Sequence, residues 1–386
     1  MRLCFRPGEV PPVRMASRFV RLGLVLLAAP ASGLEGQSPA RPQTPALPVP
    51  YLVEELAVRN PGDGTTLTGT LTLPRGGGPY PAVLLVSGAG AQSRDYEVFG
   101  HRPFLVLADH LTRQGIAVLR VDDRGVGGSG GDVARSTVAL AAGDIVAGVD
   151  ALLRHSGVDP TRVGVVAHSE GGRIAPIAAG REPRIAFLVL LAPPALSAAD
   201  LATAQTVAAQ AVSRAPGIAV QAALIARLRE LASEEADTAV VARRFFDQWD
   251  DWVARLPDEQ GAMLRAARDR PAFAAQVDRL AAALGSPWNR ELYRLDPRPP
   301  LEELTVPVLA VYGDRDRQAP PEPNIAALRA AWVGHPGARI EVLPGLNHFF
   351  QHATTGMIDE VGRIEETFAP GVMDLVGSWI RAQPAR

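Results

Sequence analysis

The chain contains no lysine. Its 39 basic residues are all Arg, set against 41 acidic ones, and its one cysteine, Cys4, stands near the N-terminus. Each scarcity removes a class of chemistry. Without Lys there is no Schiff-base or pyridoxal-phosphate anchor, no phosphate-loop lysine, no Ser-Lys dyad and no S-x-x-K site. A single terminal Cys allows no disulfide within the chain and no Cys-rich zinc or iron–sulfur site, and it argues against a Cys nucleophile. The formal charge of −2 is not the clustered positive charge that a phosphate backbone requires, so nucleic acid is not an expected partner. Long apolar runs are lacking too. The N-terminal run Leu22–Ala29 is far shorter than the roughly 20 residues of a membrane span, so no stable membrane anchor is expected.

What remains is a chain of 386 residues, 47% hydrophobic, enough for a sizeable core in one large domain or two small ones. Residues 1–33 carry Arg2, Arg6, Arg14, Arg18 and Arg21 against a single acid, Glu9, followed by the short apolar run and Pro30-Ala31-Ser32-Gly33. A positive region, a short apolar region and small residues at the end are the layout of a secretory signal peptide. The expected location is therefore secreted or periplasmic, with Met15 as an alternative start. A disordered cytoplasmic tail is the plainer reading of the same residues. Residues 34–50, with Pro39, Pro42, Pro45, Pro48 and Pro50, are expected to form an extended spacer.

From residue 51 onward, Tyr51–Val58 and Thr65–Leu73 flank Asn60-Pro61-Gly62-Asp63-Gly64, which predicts a hairpin. Six short apolar runs follow, at Ala82–Val86, Ile116–Val121, Val163–Ala167, Ile185–Leu191, Val306–Val311 and Arg339–Leu343. They read as strands buried on both faces. Helix-like stretches lie between them, at Phe104–Gln114, Val138–His155, Gly172–Ala179, Asn324–Trp332 and Gly371–Arg381. The expected architecture is α/β: a mostly parallel sheet opened by an antiparallel hairpin. Residues 51–196 and 301–386 form its core. Residues 197–300 break the alternation, with helical periodicity at Ala202–Val212, Val220–Leu231 and Ala239–Trp252. They are expected to be a helical cap over the strand ends, the plainer reading being packed helices with no lid role.

The segment Val163–Gly172 ends in Ala167-His168-Ser169-Glu170-Gly171, a G-x-S-x-G nucleophile elbow with Ala in place of the first Gly. The residues two before and two after such a serine approach each other and must be small, as Ala167 and Gly171 are. The sharp strand-to-helix turn exposes the hydroxyl, and the helix N-terminus behind it favours developing negative charge. The plainer reading of Ser169 is a helix N-cap. A nucleophilic serine needs a base and a group to orient it, and in this architecture the chain order is Ser, acid, His. Downstream histidines are His335, His348 and His352. His348 follows a strand in a Gly-containing loop, where the base belongs; His352 reads as a neighbour. For the acid, Asp316 lies three residues past Gly313 at a strand end, with Asp314 as the alternative. Arg315 and Arg317 are expected to keep either carboxylate ionised. Oxyanion donors should be the backbone N–H of Glu170 and one from Ser87-Gly88-Ala89-Gly90, with Ala89 the candidate. Gly125, Gly127 and Gly130 match G-x-G-x-x-G, but no helix opens behind them, so they read as a turn-rich loop.

These segments together resemble the α/β-hydrolases, specifically the bacterial carboxylesterases of the EstD-like, serine-aminopeptidase-like branch. Gly69–Pro74, Ser87–Gly90 with Arg94-Asp95, Asp122–Gly127, His168–Gly172, Gly313–Asp316, Pro344–Phe350 and Ile364–Pro370 carry the likeness. Two features depart from that group: S-G-A-G-A stands where S-G-S-G-P is usual, and the cap is only loosely similar. The resemblance implies a serine carboxylesterase acting on short-chain acyl esters, with Ser169, Asp316 and His348 as triad, a small-molecule ester as partner, and no metal or cofactor. A peptidase or amidase of the same architecture is the alternative, with Glu230, Glu234 and Glu235 as possible amine anchors, although acids on a charged helix are usually a solvated face. A catalytically silent binding protein is a third. Phe245, Phe246, Trp249 and Trp252 are candidate acyl-pocket residues, although aromatics at helical spacing are more often core.

Overall fold

The computed structural model describes residues 40–213, 215 and 217–386. The expected signal peptide, residues 1–33, and the first part of the expected spacer lie outside the described residues. The expected hairpin forms as β1 (Leu52–Arg59) and β2 (Thr66–Leu73), with Leu52 opposite Leu73 and Arg59 opposite Thr66. Its turn closes because the Asn60 side-chain oxygen accepts from the Gly62 N–H at 2.8 Å and its backbone carbonyl from the Gly64 N–H at 2.9 Å. The chain then alternates through β3 (Tyr80–Val86), α1 (Pro103–Arg113), β4 (Ala117–Val121), α2 (Val138–Leu153), β5 (Val158–His168), α3 (Gly171–Arg181) and β6 (Leu188–Leu191).

Eight helices follow before the sheet resumes: α4 (Ala198–Gln210), α5 (Gly217–Glu234), α6 (Thr238–Asp247), α7 (Trp249–Val253), α8 (Asp258–Arg268), α9 (Pro271–Leu284), α10 (Pro287–Arg294) and α11 (Arg298–Glu302). The last elements are β7 (Val308–Gly313), α12 (Pro321–Ala331), β8 (Ala338–Leu343) and α13 (Pro370–Arg381). The eight strands form one sheet in the order β1-β2-β4-β3-β5-β6-β7-β8. Pairing is antiparallel from β1 to β2 and from β2 to β4, and parallel from there on. The central strands β6 and β7 are buried at every position. Helices therefore cover both faces, which is why these strands read as unbroken apolar runs.

The helical stretch between β6 and β7 has an apolar cluster of its own. Leu228, Val241, Phe245, Trp249, Phe273, Val277 and Leu284 pack together, apart from the cluster that fills the sheet. The one helix expected over Ala239–Trp252 is broken at Gln248, which leaves the helical region at φ −100° and ψ 10°. From α10 onward the apolar residues change allegiance: Trp288, Leu292, Leu295 and Leu301 pack against the main cluster. Among the described residues no helix is long and apolar enough to cross a membrane.

The Pro-rich stretch is not a free spacer over its whole length. Arg41 donates to the carbonyls of Ile364 at 2.8 Å and Gly362 at 2.9 Å. The Gln43 side chain accepts from the Thr367 N–H at 2.6 Å and donates to the Phe368 carbonyl at 2.6 Å. Composition predicts an extended backbone there, but a pair of polar side chains decides where that backbone is held.

Candidate active site

The site lies at the carboxyl ends of the central strands, where loops from a parallel sheet converge. Ser169 sits between the end of β5 and the start of α3 with φ +53°, a left-handed conformation that is costly for a residue with a Cβ. Its N–H donates to Leu191 O at 2.8 Å, and its carbonyl accepts from Gly172 N at 2.8 Å, which hold the turn in place. The crowding that demands glycine at 171 comes from across the sheet. A Cβ there would sit 2.4 Å from the Ser87 carbonyl oxygen. The small residue two past the serine thus makes room for the β3 loop, a closer constraint than the approach to Ala167 inferred from the motif.

The candidate acid and base are brought together by a second close approach. Gly313, at the end of β7, lies so near the β8 loop that a Cβ would be 2.2 Å from the Leu346 carbonyl oxygen. Past it, the fully buried Asp316 takes the His348 Nδ1 at 2.8 Å on one carboxylate oxygen. The other oxygen accepts from the N–H groups of Gln318 at 2.7 Å and Ala319 at 2.8 Å. His348 Nε2 lies 2.9 Å from Ser169 Oγ. The His348 loop is pinned by buried Asn347, whose side-chain oxygen accepts from the N–H groups of Phe349 at 2.9 Å and Gln351 at 3.0 Å.

The alternatives lie elsewhere. Asp314 accepts from Gly345 N at 2.7 Å, and the exposed His352 pairs with Glu366 at 2.9 Å. His335 only closes its own turn, accepting from Gly337 N at 3.1 Å. The expected role of the flanking arginines is corrected. Arg315 donates to Ala353 O, and Arg317 donates to Thr355 O at 3.1 Å. The Asp316 carboxylate is thus satisfied by N–H donors, while the guanidiniums tie its loop to the segment after His348.

The β3 loop abuts the serine: a Cβ on Gly88 would be 2.9 Å from Ser169 Cβ. Ala89 follows it, with its carbonyl held by Gln92 Nε2 at 2.8 Å. Neither the Ala89 N–H nor the Glu170 N–H donates to another group among the described residues. The loop is tied down by Asp123, a residue the sequence marked only through the Asp122–Gly127 run. One Asp123 carboxylate oxygen accepts from Gln92 N at 2.8 Å and Ser87 Oγ at 3.1 Å. Burial pushes the Asp123 carboxyl up to about 7, against the lowering effect of those two hydrogen bonds. The Asp122 and Arg124 carboxylate and guanidinium join the same scaffold, through Arg94 at 2.9 Å and through Asp144 at 2.7 Å.

Among the described residues the helical insert meets the site through Trp288, Gln205 and the pair Ala209 and Ile218. Trp288 Nε1 donates to the buried Glu170 carboxyl at 2.9 Å, whose ionisation burial disfavours. Gln205 of α4 donates to Gln318 O at 2.6 Å, beside Asp316. Ala209 and Ile218 pack on Met357, which follows the His348 loop. The aromatic candidates for an acyl pocket follow the plainer of their two readings, that of core. Phe245 and Trp249 are buried inside the insert, with ring centroids 5.5 Å apart, and Phe246 and Trp252 pack on them.

A family model described as the alpha/beta hydrolase family matches residues 83–359. The chain belongs to the alpha/beta hydrolase family. Esterase EstD of Thermotoga maritima is 25% identical over 284 residues, covering 73% of this chain and 57% of that protein. The chain thus spans little more than half the length of this curated relative. Esterase FrsA of Serratia proteamaculans is 39% identical over 85 residues, or 22% of this chain and 19% of that one. Among solved structures, the Pyrococcus furiosus esterase Pf2001 superposes with TM-score 0.51 at 16% identity, covering 91% of this chain and 99% of that one. At that identity the likeness speaks for the fold of this family member.

Proposed function

We propose that this family member is an exported serine carboxylesterase that hydrolyses short-chain acyl esters through Ser169, His348 and Asp316. The observation that carries the reading is the unbroken hydrogen-bonded line from Asp316 through His348 to Ser169, at 2.8 and 2.9 Å. An ionised carboxylate only accepts, so the Nδ1 of His348 carries the proton and Nε2 presents its lone pair to the Ser169 hydroxyl. Ser169 Oγ attacks the ester carbonyl carbon as Nε2 takes its proton. The carbonyl oxygen gains the negative charge and is held by the free N–H groups of Ala89 and Glu170. Collapse of the tetrahedral intermediate breaks the bond to the alkoxy oxygen, which leaves as the alcohol with the proton from His348. Water, deprotonated by His348, then attacks the acyl-Ser169 ester and regenerates the hydroxyl.

Two further observations support the choice of ester and of a short acyl chain. Glu230 and Glu234 are exposed and paired with Arg227 at 2.6 Å and Arg244 at 2.9 Å, and Glu235 accepts from Asp237 N at 2.9 Å. These surface contacts leave them no place as an anchor for a peptide α-amine. The aromatic residues that would line a long acyl tunnel are used in the insert's own core. The named esterases EstD and FrsA agree with this reading, and export rests on the N-terminal pattern of Arg, apolar and small residues. A fluorophosphonate probe tests it. Labelling of the protein that is abolished by Ser169→Ala is expected, whereas absent labelling, or labelling that survives the substitution, contradicts the proposal.

A further inference from the structure

The triad and the oxyanion donors come from separate loops, and two buried side chains outside the triad join those loops. His168, directly before Ser169, is 3% exposed. Its Nε2 lies 2.8 Å from the backbone carbonyl oxygen of His348, and its Nδ1 lies 3.2 Å from the Tyr96 hydroxyl. Tyr96 is equally buried and follows the β3 loop. Its hydroxyl packs on the Gly88 backbone, where a Cβ would come within 2.4 Å of it.

The chemistry of these three groups fixes the direction of both hydrogen bonds. A carbonyl oxygen only accepts, so His168 Nε2 carries a proton. Burial and the neighbouring His348 hold the His168 ring neutral, pushing it down to about 3. Nδ1 therefore offers a lone pair, and the Tyr96 O–H donates to it. Beyond that bond, the Tyr96 oxygen meets the β3 loop by packing on Gly88. The rings are also packed: His168 lies 4.8 Å from His348 and 5.4 Å from Phe349, and Tyr96 lies 4.9 Å from Phe104, centroid to centroid.

We infer that Tyr96 and His168 are positioning residues, forming a hydrogen-bonded strut that runs beneath Ser169 and sets the oxyanion loop and the His348 loop at a fixed separation. This rests on the serine-esterase reading above. Neither side chain meets substrate. The strut acts on where His348 Nε2 and the Ala89 N–H stand when charge develops, so its loss reduces turnover and leaves ground-state binding intact. Trp288 and the rest of the insert are not part of it.

Tyr96→Phe removes one oxygen and keeps the aromatic packing. With p-nitrophenyl acetate we expect kcat to fall about 10- to 100-fold, with KM within about twofold. Fluorophosphonate labelling should slow by the same factor yet reach the wild-type end point. His168→Gln keeps a donor for the His348 carbonyl and should retain several-fold more activity than His168→Met, which keeps none. Wild-type kcat and labelling rate in Tyr96→Phe would overturn the strut. So would a lowered melting temperature with an unchanged rate per labelled site, or equal activity in the two His168 variants. If the wild-type protein is not labelled at all, the esterase reading fails first and the strut falls with it, an outcome distinct from a labelled wild type with an indifferent Tyr96→Phe.

Discussion

The sheet edge and the helical insert are built on different terms. At the sheet edge each loop that bears a candidate catalytic group is held by directed hydrogen bonds, either within the loop or from a neighbouring one. Asp316 is held by Gln318 and Ala319, His348 by Asn347, and the β3 loop by Asp123. The insert instead makes a core of Trp, Phe and aliphatic side chains among its own helices and meets the site through Trp288, Gln205 and the contact with Met357. A hydrophobic core tolerates adjustment without losing its identity, whereas a directed hydrogen bond fails over fractions of an ångström. On the proposed mechanism, reaction geometry would be set by the body, and the insert would bear on it only through those few contacts.

Substitutions can break that division. The largest effect belongs to the proposed nucleophile: Ser169→Ala should lower ester turnover at least about 10³-fold with folding unchanged, read by steady-state kinetics and circular dichroism. Asp316→Asn should come next, with kcat down by about 10³- to 10⁴-fold, because an amide presenting its N–H to Nδ1 favours the wrong tautomer of His348. In the insert, Trp249→Ala removes a side chain that is 1% exposed, and should destabilise that region by about 3–5 kcal/mol. The division of labour requires fluorophosphonate labelling of Ser169 to survive at near wild-type rate under conditions where the insert stays folded. Equal loss of labelling and stability would merge the two regions into one.

Smaller effects probe the boundary between them. Trp288→Phe removes the donor to Glu170 while preserving the ring, and should raise KM for larger esters by a few-fold with kcat nearly unchanged, measured over an acyl-chain series. The smallest effect is a pH dependence. Asp123 ionises at about 7 in the folded protein, against about 4 in an unfolded chain. Between those values the folded state binds the extra proton, so this group's contribution to stability is present at low pH and is lost as pH rises through 7. Asp123→Asn keeps an oxygen for Gln92 and Ser87 and should flatten melting temperature against pH between about 4 and 7. An unchanged slope would remove Asp123 from the account of the β3 loop.

Much of the fold was legible because its signals are local. Apolar runs too short for helices mark the central strands, Asn60–Gly64 marks the hairpin turn, and Ala167–Gly171 between a strand and a helix marks the elbow. The order Ser, acid, His leads to Asp316 and His348, which the structure brings within hydrogen-bond distance of each other and of Ser169. What stayed hidden depends on partners far away in the chain. Nothing near Arg315 and Arg317 announces the carbonyls of Ala353 and Thr355. Arg41 and Gln43 sit in a stretch whose composition says only that it is extended, and the groups at Gly362, Ile364 and Phe368 that they bind are more than 300 residues away. His168 precedes the nucleophile, so chain order set it aside, and its role depends on Tyr96 and on a carbonyl at position 348. The aromatic residues Phe245 and Trp249 have the same periodicity whether they face a pocket or a core, and only packing decides between the two.

The central claim is that an acyl group passes through the oxygen of Ser169. Rapidly quenched protein incubated with p-nitrophenyl acetate and analysed by peptide mass spectrometry tests it without reference to overall rate. We predict one acetyl group per chain on the peptide containing Ser169, lost on continued incubation in water and absent in Ser169→Ala. Hydrolysis of the ester by the wild-type protein with the acetyl group on another residue, or with the same acetylation in Ser169→Ala, would contradict the account.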